Sequence, residues 1–172
     1  MNSIYQLHFT LFFYLRERGE IFVENQKEEK GIIGFLKEYY FLSNFYPCDI
    51  ICNDFNTPIT FKNSEAMFQA MKCPSRVREF SNLSAQEAKR LGRHVNLRED
   101  WEEVKDEIMK YCLRSKFDQN PELKAELIKT NGLHLEEANT WEDRYWGTVN
   151  GEGKNMLGKL LMELRDEYIN SN

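Results

Sequence analysis

The chain has 172 residues, of which 41% are hydrophobic and 30% charged, and it carries a net charge of −5. This size and composition fit one soluble globular domain with a single hydrophobic core, and they exclude a disordered chain. The negative charge disfavours a broad, sequence-independent grip on nucleic acid, which requires a basic face, but allows a local basic pocket for one or two phosphates.

Residues 1–30 are interpreted as an N-terminal appendage of unknown role, followed by one domain over residues 31–172. The apolar run 11–15 is shorter than the roughly 20 residues that span a bilayer. No lysine or arginine precedes this run and no small-residue cleavage site follows it, so it is a poor signal peptide. We therefore expect a cytoplasmic protein without membrane association.

The four cysteines are not spaced as a metal site, because the closest pair, Cys48 and Cys52, has no second pair and no histidine near it. We expect them to be small buried side chains in a reducing compartment.

Short strands are predicted first along the domain, because residues 32–52 are rich in β-branched and aromatic side chains. Within this segment the stretch LSNFYP, residues 42–47, is predicted to be a bend. Residues 53–63 are then predicted to form a hairpin or a tight loop.

Helices are predicted for most of the remaining chain from their caps and stop signals. Ser84 and Glu87 have the spacing of a capping box, and Pro121 stands at a first helical position. Arg114 and Lys116 lie in the last turn of another helix, where the helix dipole favours cations. The predicted helices span residues 63–73, 84–92, 100–117, 120–132 and 155–168. A small sheet from the N-terminal part with a predominantly helical body defines a single-domain α+β fold.

A glycine-rich stretch, from Gly147 to Gly153, precedes the last predicted helix and is followed by Lys154. A helix N-terminus beside a lysine favours anions, although the spacing does not match a nucleotide P-loop. The alternative is a plain surface loop with Asn155 as a helix cap, and spacing alone favours it.

Aromatic residues flank an acid pair just before these glycines. Trp141, Tyr145 and Trp146 surround Glu142 and Asp143. Such aromatic residues are usually core packing. Next to a carboxylate and an anion site, however, they would also suit a nucleobase or nucleoside.

Glu65 is a second carboxylate with two interpretations. In the first turn of a helix its negative charge would interact favourably with the helix dipole. Beside apolar neighbours such as Phe68 it would be desolvated, and its pKa would be raised as acid–base catalysis requires. Lys72 follows seven residues later, where it would pair with Glu65, hold a phosphate or, less favoured, attack a sugar C1 as a Schiff-base nucleophile.

Six motifs occur in one order along the chain: LSNFYP, FKNSEAMFQAMK, EAKRLGR, WEEVKDEIMKYCLRSKFDQNPELKAELIKT, WEDRYWG and GKNMLGKLLMELRD. Together they resemble the YbiA-like N-glycosidases of the NADAR superfamily, over about residues 32–167. The resemblance implies a largely helical α+β fold and a hydrolase that cleaves N-glycosidic bonds to ribose. It also implies no metal and no other cofactor.

The resemblance implies a small phosphorylated ribosyl substrate, namely a ribosylaminopyrimidine phosphate of riboflavin biosynthesis, or ADP-ribose attached to a base. Nucleic acid would be a partner only if ADP-ribosylated. The implied catalytic residues are Glu65, Asp143 and Lys72, and which carboxylate orients the ribose stays open. The implied substrate-binding residues are Ser43, Asn44, Phe45, Gln69, Arg93, Trp101, Trp146, Gly147 and Asn155. Among these, Arg93 and the loop from Gly147 to Asn155 would hold phosphate, and the tryptophans would stack.

The chain departs from the family pattern at two positions. Ala66 follows the motif glutamate where the family often has histidine, and His94 stands where aspartate is frequent. The missing polar contact at Ala66 supports an alternative, a non-catalytic sensor of ADP-ribose or a nucleotide. A third possibility is an interaction protein in which the tryptophans and glycines only pack and turn.

Overall fold

The structure is a computed structural model, and it describes residues 31–171. Within this range a helical body packs on short strand pairs, which confirms the predicted α+β class. The α-helices are α1 (Ser64–Ala70), α2 (Ala85–Gly92), α3 (Trp101–Gln119), α4 (Pro121–Lys129) and α5 (Met156–Asn170). Two 3-10 helices span Lys37–Leu42 and Pro74–Phe80. The predictions made for residues 1–30 lie outside the described residues.

The strands form two separate pairs. β2 (Ile50–Cys52) and β3 (Ile59–Phe61) are antiparallel, with Ile51 opposite Thr60, and this confirms the predicted hairpin. β1 (Gly31–Ile33) pairs in parallel with β4 (His134–Glu136), which follows α4 rather than coming from the N-terminal part. The second pair therefore joins the start of the domain to the segment between α4 and α5.

The strand prediction is wrong for Lys37–Leu42, which is a 3-10 helix. Two residues turn the chain away from β1, Gly34 with a φ of 78° and Lys37 with a φ of 52°. The helical turn then buries Phe41 and Leu42 in the core. Their apolar side chains suggested a strand, but they pack into the core from a helical turn.

Local signals located the helix starts well. The Asn63 side chain caps α1 by accepting a hydrogen bond from the Ala66 N–H at 2.7 Å. The capping box at α2 is also present, since Ser84 accepts from the Glu87 N–H and the Glu87 carboxylate accepts from the Ser84 N–H. Both contacts satisfy amides that would otherwise lack partners at a helix N-terminus.

Lys116 has a different role from the one that its position near the end of α3 suggested. Its side chain is fully buried, and its ammonium donates to the carbonyls of Phe41 at 2.6 Å and Ser43 at 2.9 Å. Burial lowers the pKa of Lys116 to about 8. These bonds fix the turn at residues 43–45 to α3, beside the start of α1.

The cysteines agree with the expectation of buried thiols, apart from Cys48, which is half-buried. Across residues 31–171 no three histidine, cysteine, aspartate or glutamate side chains are grouped as metal ligands. In the same range, no helix combines the length and the apolar character needed to cross a bilayer.

Candidate active site

One face of α1 carries the first part of the site. The Glu65 N–H donates to the Asn44 carbonyl at 3.0 Å, so the turn at residues 43–45 rests against the helix start. The Glu65 side chain is buried, and one of its oxygens accepts a hydrogen bond from the Gln69 amide at 2.8 Å. Glu65 is therefore desolvated, which was one of the two interpretations of the sequence.

The electrostatics of Glu65 are governed by burial and by its neighbours. Burial raises the pKa of Glu65, while the Gln69 hydrogen bond and the charges of Lys89 and Lys72 counteract that effect. The negative charge of Asp143 raises the pKa further. The structure thus brings Glu65, Asp143 and Lys72 within electrostatic reach of each other.

Two lysines, Lys72 and Lys89, act on this carboxylate, and Arg93 acts in turn on Lys72. Lys72 lies just beyond the end of α1 and is half-buried, and burial lowers its pKa. Glu65 counteracts this shift, whereas the nearby charges of Lys89 and Arg93 add to it. Lys89 lies on α2, and Arg93 is exposed at the C-terminal end of that helix. Together Lys72, Lys89 and Arg93 form a cation cluster at one side of the site.

Aromatic rings form a wall beside the carboxylate. The Phe68 ring lies between Trp101 and Trp146, at centroid distances of 5.2 Å and 5.3 Å. The Lys72 ammonium lies 5.5 Å from the Trp101 ring centroid and 5.9 Å from that of Phe68. Both predicted tryptophans therefore belong to this wall, joined by a phenylalanine that was not among the predicted site residues.

Lys89 also stands between two rings at the edge of the site. Its ammonium lies 5.6 Å from the Phe45 ring centroid and 5.5 Å from that of Trp141. Trp141 is 57% exposed. Neither Lys89 nor Trp141 was among the predicted site residues, because their proximity depends on a contact between α2 and the loop after β4.

The other residues of the turn at 43–45 are held by specific bonds. The Ser43 hydroxyl accepts from the Phe45 N–H at 3.1 Å and so shapes the turn. The Asn44 amide nitrogen donates to the Met109 sulfur at 3.2 Å. The buried amide oxygens of Asn44 and Gln69 find no hydrogen-bond partner within the described part of the chain. Such oxygens are available to a ligand donor.

Asp143 organises the loop that carries Trp146. One carboxylate oxygen accepts from the N–H groups of Tyr145 at 3.1 Å and Trp146 at 2.9 Å. The Asp143 backbone is held in turn by the Asn139 side chain, which both donates to its carbonyl and accepts from its N–H. Asp143 therefore fixes the tryptophan while its charge acts on Glu65.

Glu137 is a third carboxylate that the sequence predictions missed. It follows β4 directly, and its Oε2 atom is buried with no hydrogen-bond partner among residues 31–171. Burial raises the pKa of Glu137 to about 7; Lys89 counteracts the shift, and Asp143 and Glu65 add to it. A glutamate directly after a short strand was the available signal, but β4 itself was not predicted.

The N-terminus of α5 does not provide the anion site predicted for it. The N–H groups of residues 155–157 already donate to the carbonyls of Gly147, Tyr145 and Trp146, at 3.2, 3.1 and 2.9 Å respectively. Amides that are already paired do not attract a phosphate as free helix-terminal amides do. The phosphate role predicted for the loop from Gly147 to Asn155 therefore does not fit this geometry.

Asn155 and Gly147 hold neighbouring backbone instead. The Asn155 side chain accepts from the Glu137 N–H at 3.1 Å and donates to the Leu135 carbonyl at 2.8 Å, and it makes no helix-capping bond. Gly147 packs on Glu137 so closely that a methyl group there would overlap with the Glu137 carbonyl. Asn155 therefore stands at the N-cap position of α5, as the helix-cap alternative stated, but its side chain bonds to the segment of Leu135 and Glu137 and not to the helix.

The sequence of residues 22–168 matches the NADAR domain. The chain belongs to the NADAR family. The match to this family begins inside the segment interpreted above as an appendage. N-glycosidase YbiA of Escherichia coli strain K12 is 40% identical over 141 residues, which cover 72% of this NADAR protein and 86% of that relative. The NMR structure of E. coli YbiA superposes with a TM-score of 0.70 at 37% identity, covering 82% of this chain and 84% of that one.

Two further relatives of this NADAR protein carry names from riboflavin metabolism. Riboflavin biosynthesis protein VVA0006 of Vibrio vulnificus is 35% identical over 133 residues, 74% of this chain and 35% of that protein. Riboflavin biosynthesis protein PYRR of Arabidopsis thaliana is 41% identical over 108 residues, 59% of this chain and 18% of that protein. The identity to YbiA over most of both chains makes this NADAR protein an N-glycosidase.

Proposed function

We propose that the protein hydrolyses an N-glycosidic bond to ribose in a phosphorylated ribosylaminopyrimidine or, as the second substrate class, in ADP-ribose attached to a base. The observation that carries this proposal is the buried carboxylate of Glu65 between a cation cluster and an aromatic wall. This arrangement offers a negative charge for a ribosyl cation, positive charges for phosphate and flat apolar faces for a base.

The chemistry follows from the transition state of glycoside cleavage. As the C–N bond breaks, C1 of the ribose gains positive charge like an oxocarbenium ion. A carboxylate near C1 stabilises that charge more strongly inside a desolvated site than it does in water. Glu65 takes this role and activates the attacking water, because it is the buried one of the two predicted carboxylates. Asp143, which is half-exposed and holds the loop, orients the ribose hydroxyls.

The leaving group is accommodated by the aromatic wall. Phe68, Trp101 and Trp146 present tilted and edge-on rings to each other, so they form a rigid apolar surface. A planar pyrimidine or purine stacks on such a surface with little dependence on its substituents. The riboflavin-biosynthesis names of two relatives support the ribosylaminopyrimidine phosphate as the first candidate.

The substrate phosphate binds at the cation cluster of Lys72, Lys89 and Arg93. The charges of Lys89 and Arg93 act on Lys72, Lys72 and Lys89 act on Glu65, and the amides of α5 are already paired. Arginine and lysine both recognise phosphate, and arginine does so with two parallel hydrogen bonds. The cluster therefore replaces the glycine loop as the phosphate site.

Arg93→Ala is expected to raise KM for the phosphorylated substrate on the order of 10-fold to 100-fold, as loss of a charged hydrogen bond worth about 1.5–3 kcal/mol implies. The KM for the same riboside without phosphate should stay unchanged. Arg90→Ala is the matched control, because Arg90 is also exposed on α2 but is not among the charges acting on Lys72. Equal effects of the two variants would contradict the phosphate role.

Product release tests the proposed function itself. Purified protein is incubated with a ribosylaminouracil phosphate and, separately, with an ADP-ribosylated nucleic acid. Release of ribose 5-phosphate is expected from the first substrate, whereas release of ADP-ribose from the second alone would assign the second substrate class. Tight binding of both without release would contradict hydrolysis and support the sensor alternative.

A further inference from the structure

The backbone of Glu137 is fixed from three sides. Its N–H donates to the Asn155 side chain at 3.1 Å, and its carbonyl accepts from the Thr148 N–H at 2.9 Å. Gly147 packs against the same residue, and a Cβ at Gly147 would lie 3.1 Å from the Glu137 Cγ. The direction in which the Glu137 side chain leaves the backbone is therefore set by the loop that also carries Trp146.

The fold orients the carboxyl group of Glu137 but leaves one of its oxygens unpaired within the described residues. Its Oε2 atom is shielded from solvent, and the described residues offer it no hydrogen-bond donor. An unpaired buried carboxylate oxygen is costly, whereas a protonated carboxyl has a proton that it can donate. This surrounding favours the neutral acid and leaves its O–H free for a ligand.

Glu137 and Glu65 are both desolvated, but the polar and charged groups around them differ. Glu65 receives a hydrogen bond from Gln69 and feels the positive charges of both Lys89 and Lys72. Within residues 31–171, the cation that acts on Glu137 is Lys89, against the negative charges of Asp143 and Glu65. Burial raises the pKa of Glu137 to about 7. Two neighbouring carboxyls with different environments commonly divide the roles of acid and base.

We propose that Glu137 is the catalytic proton donor to the leaving nitrogen. This inference rests on the hydrolysis proposed above. As the C1–N bond breaks, its electron pair stays on nitrogen, which takes the proton from the Glu137 carboxyl. Water then adds to C1 and gives a proton to the Glu65 carboxylate. Exchange with solvent returns the proton of Glu65 and reprotonates Glu137, so the cycle consumes one water and no other reactant.

Glu137→Gln tests the assignment, because glutamine keeps the shape of the side chain but cannot supply a proton. With a ribosylaminopyrimidine phosphate, kcat is expected to fall on the order of 10²-fold to 10⁴-fold. With 4-nitrophenyl riboside 5-phosphate, whose leaving group departs without protonation, kcat should remain near that of the wild type. Glu142→Gln is the control, since Glu142 is an exposed carboxylate of the same loop region.

The pH dependence gives a second readout. Glu137 must be protonated to act, so wild-type kcat/KM should fall as pH rises through about 7, the pKa of Glu137. The groups that set this value are Glu65 on α1, Lys89 on α2 and Asp143 on the loop. Glu137→Gln should remove this alkaline decline from its residual activity, and Glu137→Asp, which keeps a proton donor, should retain the decline.

The outcomes separate this inference from the proposed function. Full activity of Glu137→Gln on the aminopyrimidine substrate overturns the inference and leaves the proposed hydrolysis standing. An equal loss on both substrates, together with a lower melting temperature, assigns Glu137 a structural role and also overturns it. Absence of product from the wild-type protein overturns the proposed function, and the inference with it.

Discussion

Replacing Glu65 with glutamine is expected to abolish turnover while leaving the fold intact. Glutamine fills the same volume, and its carbonyl oxygen can still accept the hydrogen bond from Gln69. It lacks the negative charge that opposes the developing charge at C1. Removing one preorganised electrostatic contact of this kind lowers kcat on the order of 10²-fold to 10³-fold, and loss of water activation adds to that.

The measurement is kcat on a ribosylaminopyrimidine phosphate, with the melting temperature as the check on folding. The exposed carboxylate variant Glu142→Gln should match the wild type in both. Glu65 must be ionised to act, so wild-type kcat/KM should also decline as pH falls through the raised pKa of Glu65, above the usual range of a glutamate. Full activity of Glu65→Gln at neutral pH would contradict the role proposed for this residue.

Helix positions were predictable because their signals are local. Asn63 and Ser84 cap helices through residues three positions away, and such contacts depend only on the helical backbone. The aromatic segment Lys37–Leu42 was predicted incorrectly because burial there is decided by packing from the rest of the domain. Periodicity in so short an apolar run does not distinguish a strand from a helical turn.

The candidate site was predictable where several residues of one element share a face. Glu65 and Gln69 are four residues apart on α1, and the resemblance to the family identified both. Lys89 and Glu137 were missed because they reach Glu65 only through contacts between distant parts of the chain. No spacing rule connects residues that are 24 or 72 positions from Glu65, so tertiary structure had to supply them.

The anion site at α5 illustrates the opposite error. Glycines before a helix and a following lysine predict free amides, and the general rule is sound. Here the chain of residues 144–147 returns beneath the helix start, and its carbonyls accept the hydrogen bonds of residues 154–157. Every residue has a backbone carbonyl, so the sequence does not indicate which carbonyls will accept these hydrogen bonds.

Gly158→Ala is expected to cause a large loss of stability. Alanine stabilises a helix interior by about 1 kcal/mol relative to glycine, so helix propensity alone predicts a gain. In the structure, however, α5 approaches β4 so closely that a methyl group at Gly158 would overlap with the Leu135 carbonyl and lie 2.6 Å from the Asn155 amide atoms. A backbone carbonyl paired with Asn155 cannot move aside cheaply. We expect the free energy of unfolding to fall by about 3 kcal/mol, as overpacking of a tight contact does.

Chemical denaturation measures this loss, and Lys159→Ala is the matched control because Lys159 is the next residue of α5 and is exposed. That control should change the free energy of unfolding by less than about 0.5 kcal/mol. Since Asn155 also holds the Glu137 N–H, folded Gly158→Ala protein should have lower kcat as well as lower stability. A stability gain from Gly158→Ala would show that propensity outweighs the contact, and it would contradict the close packing of α5 on β4 that positions Glu137.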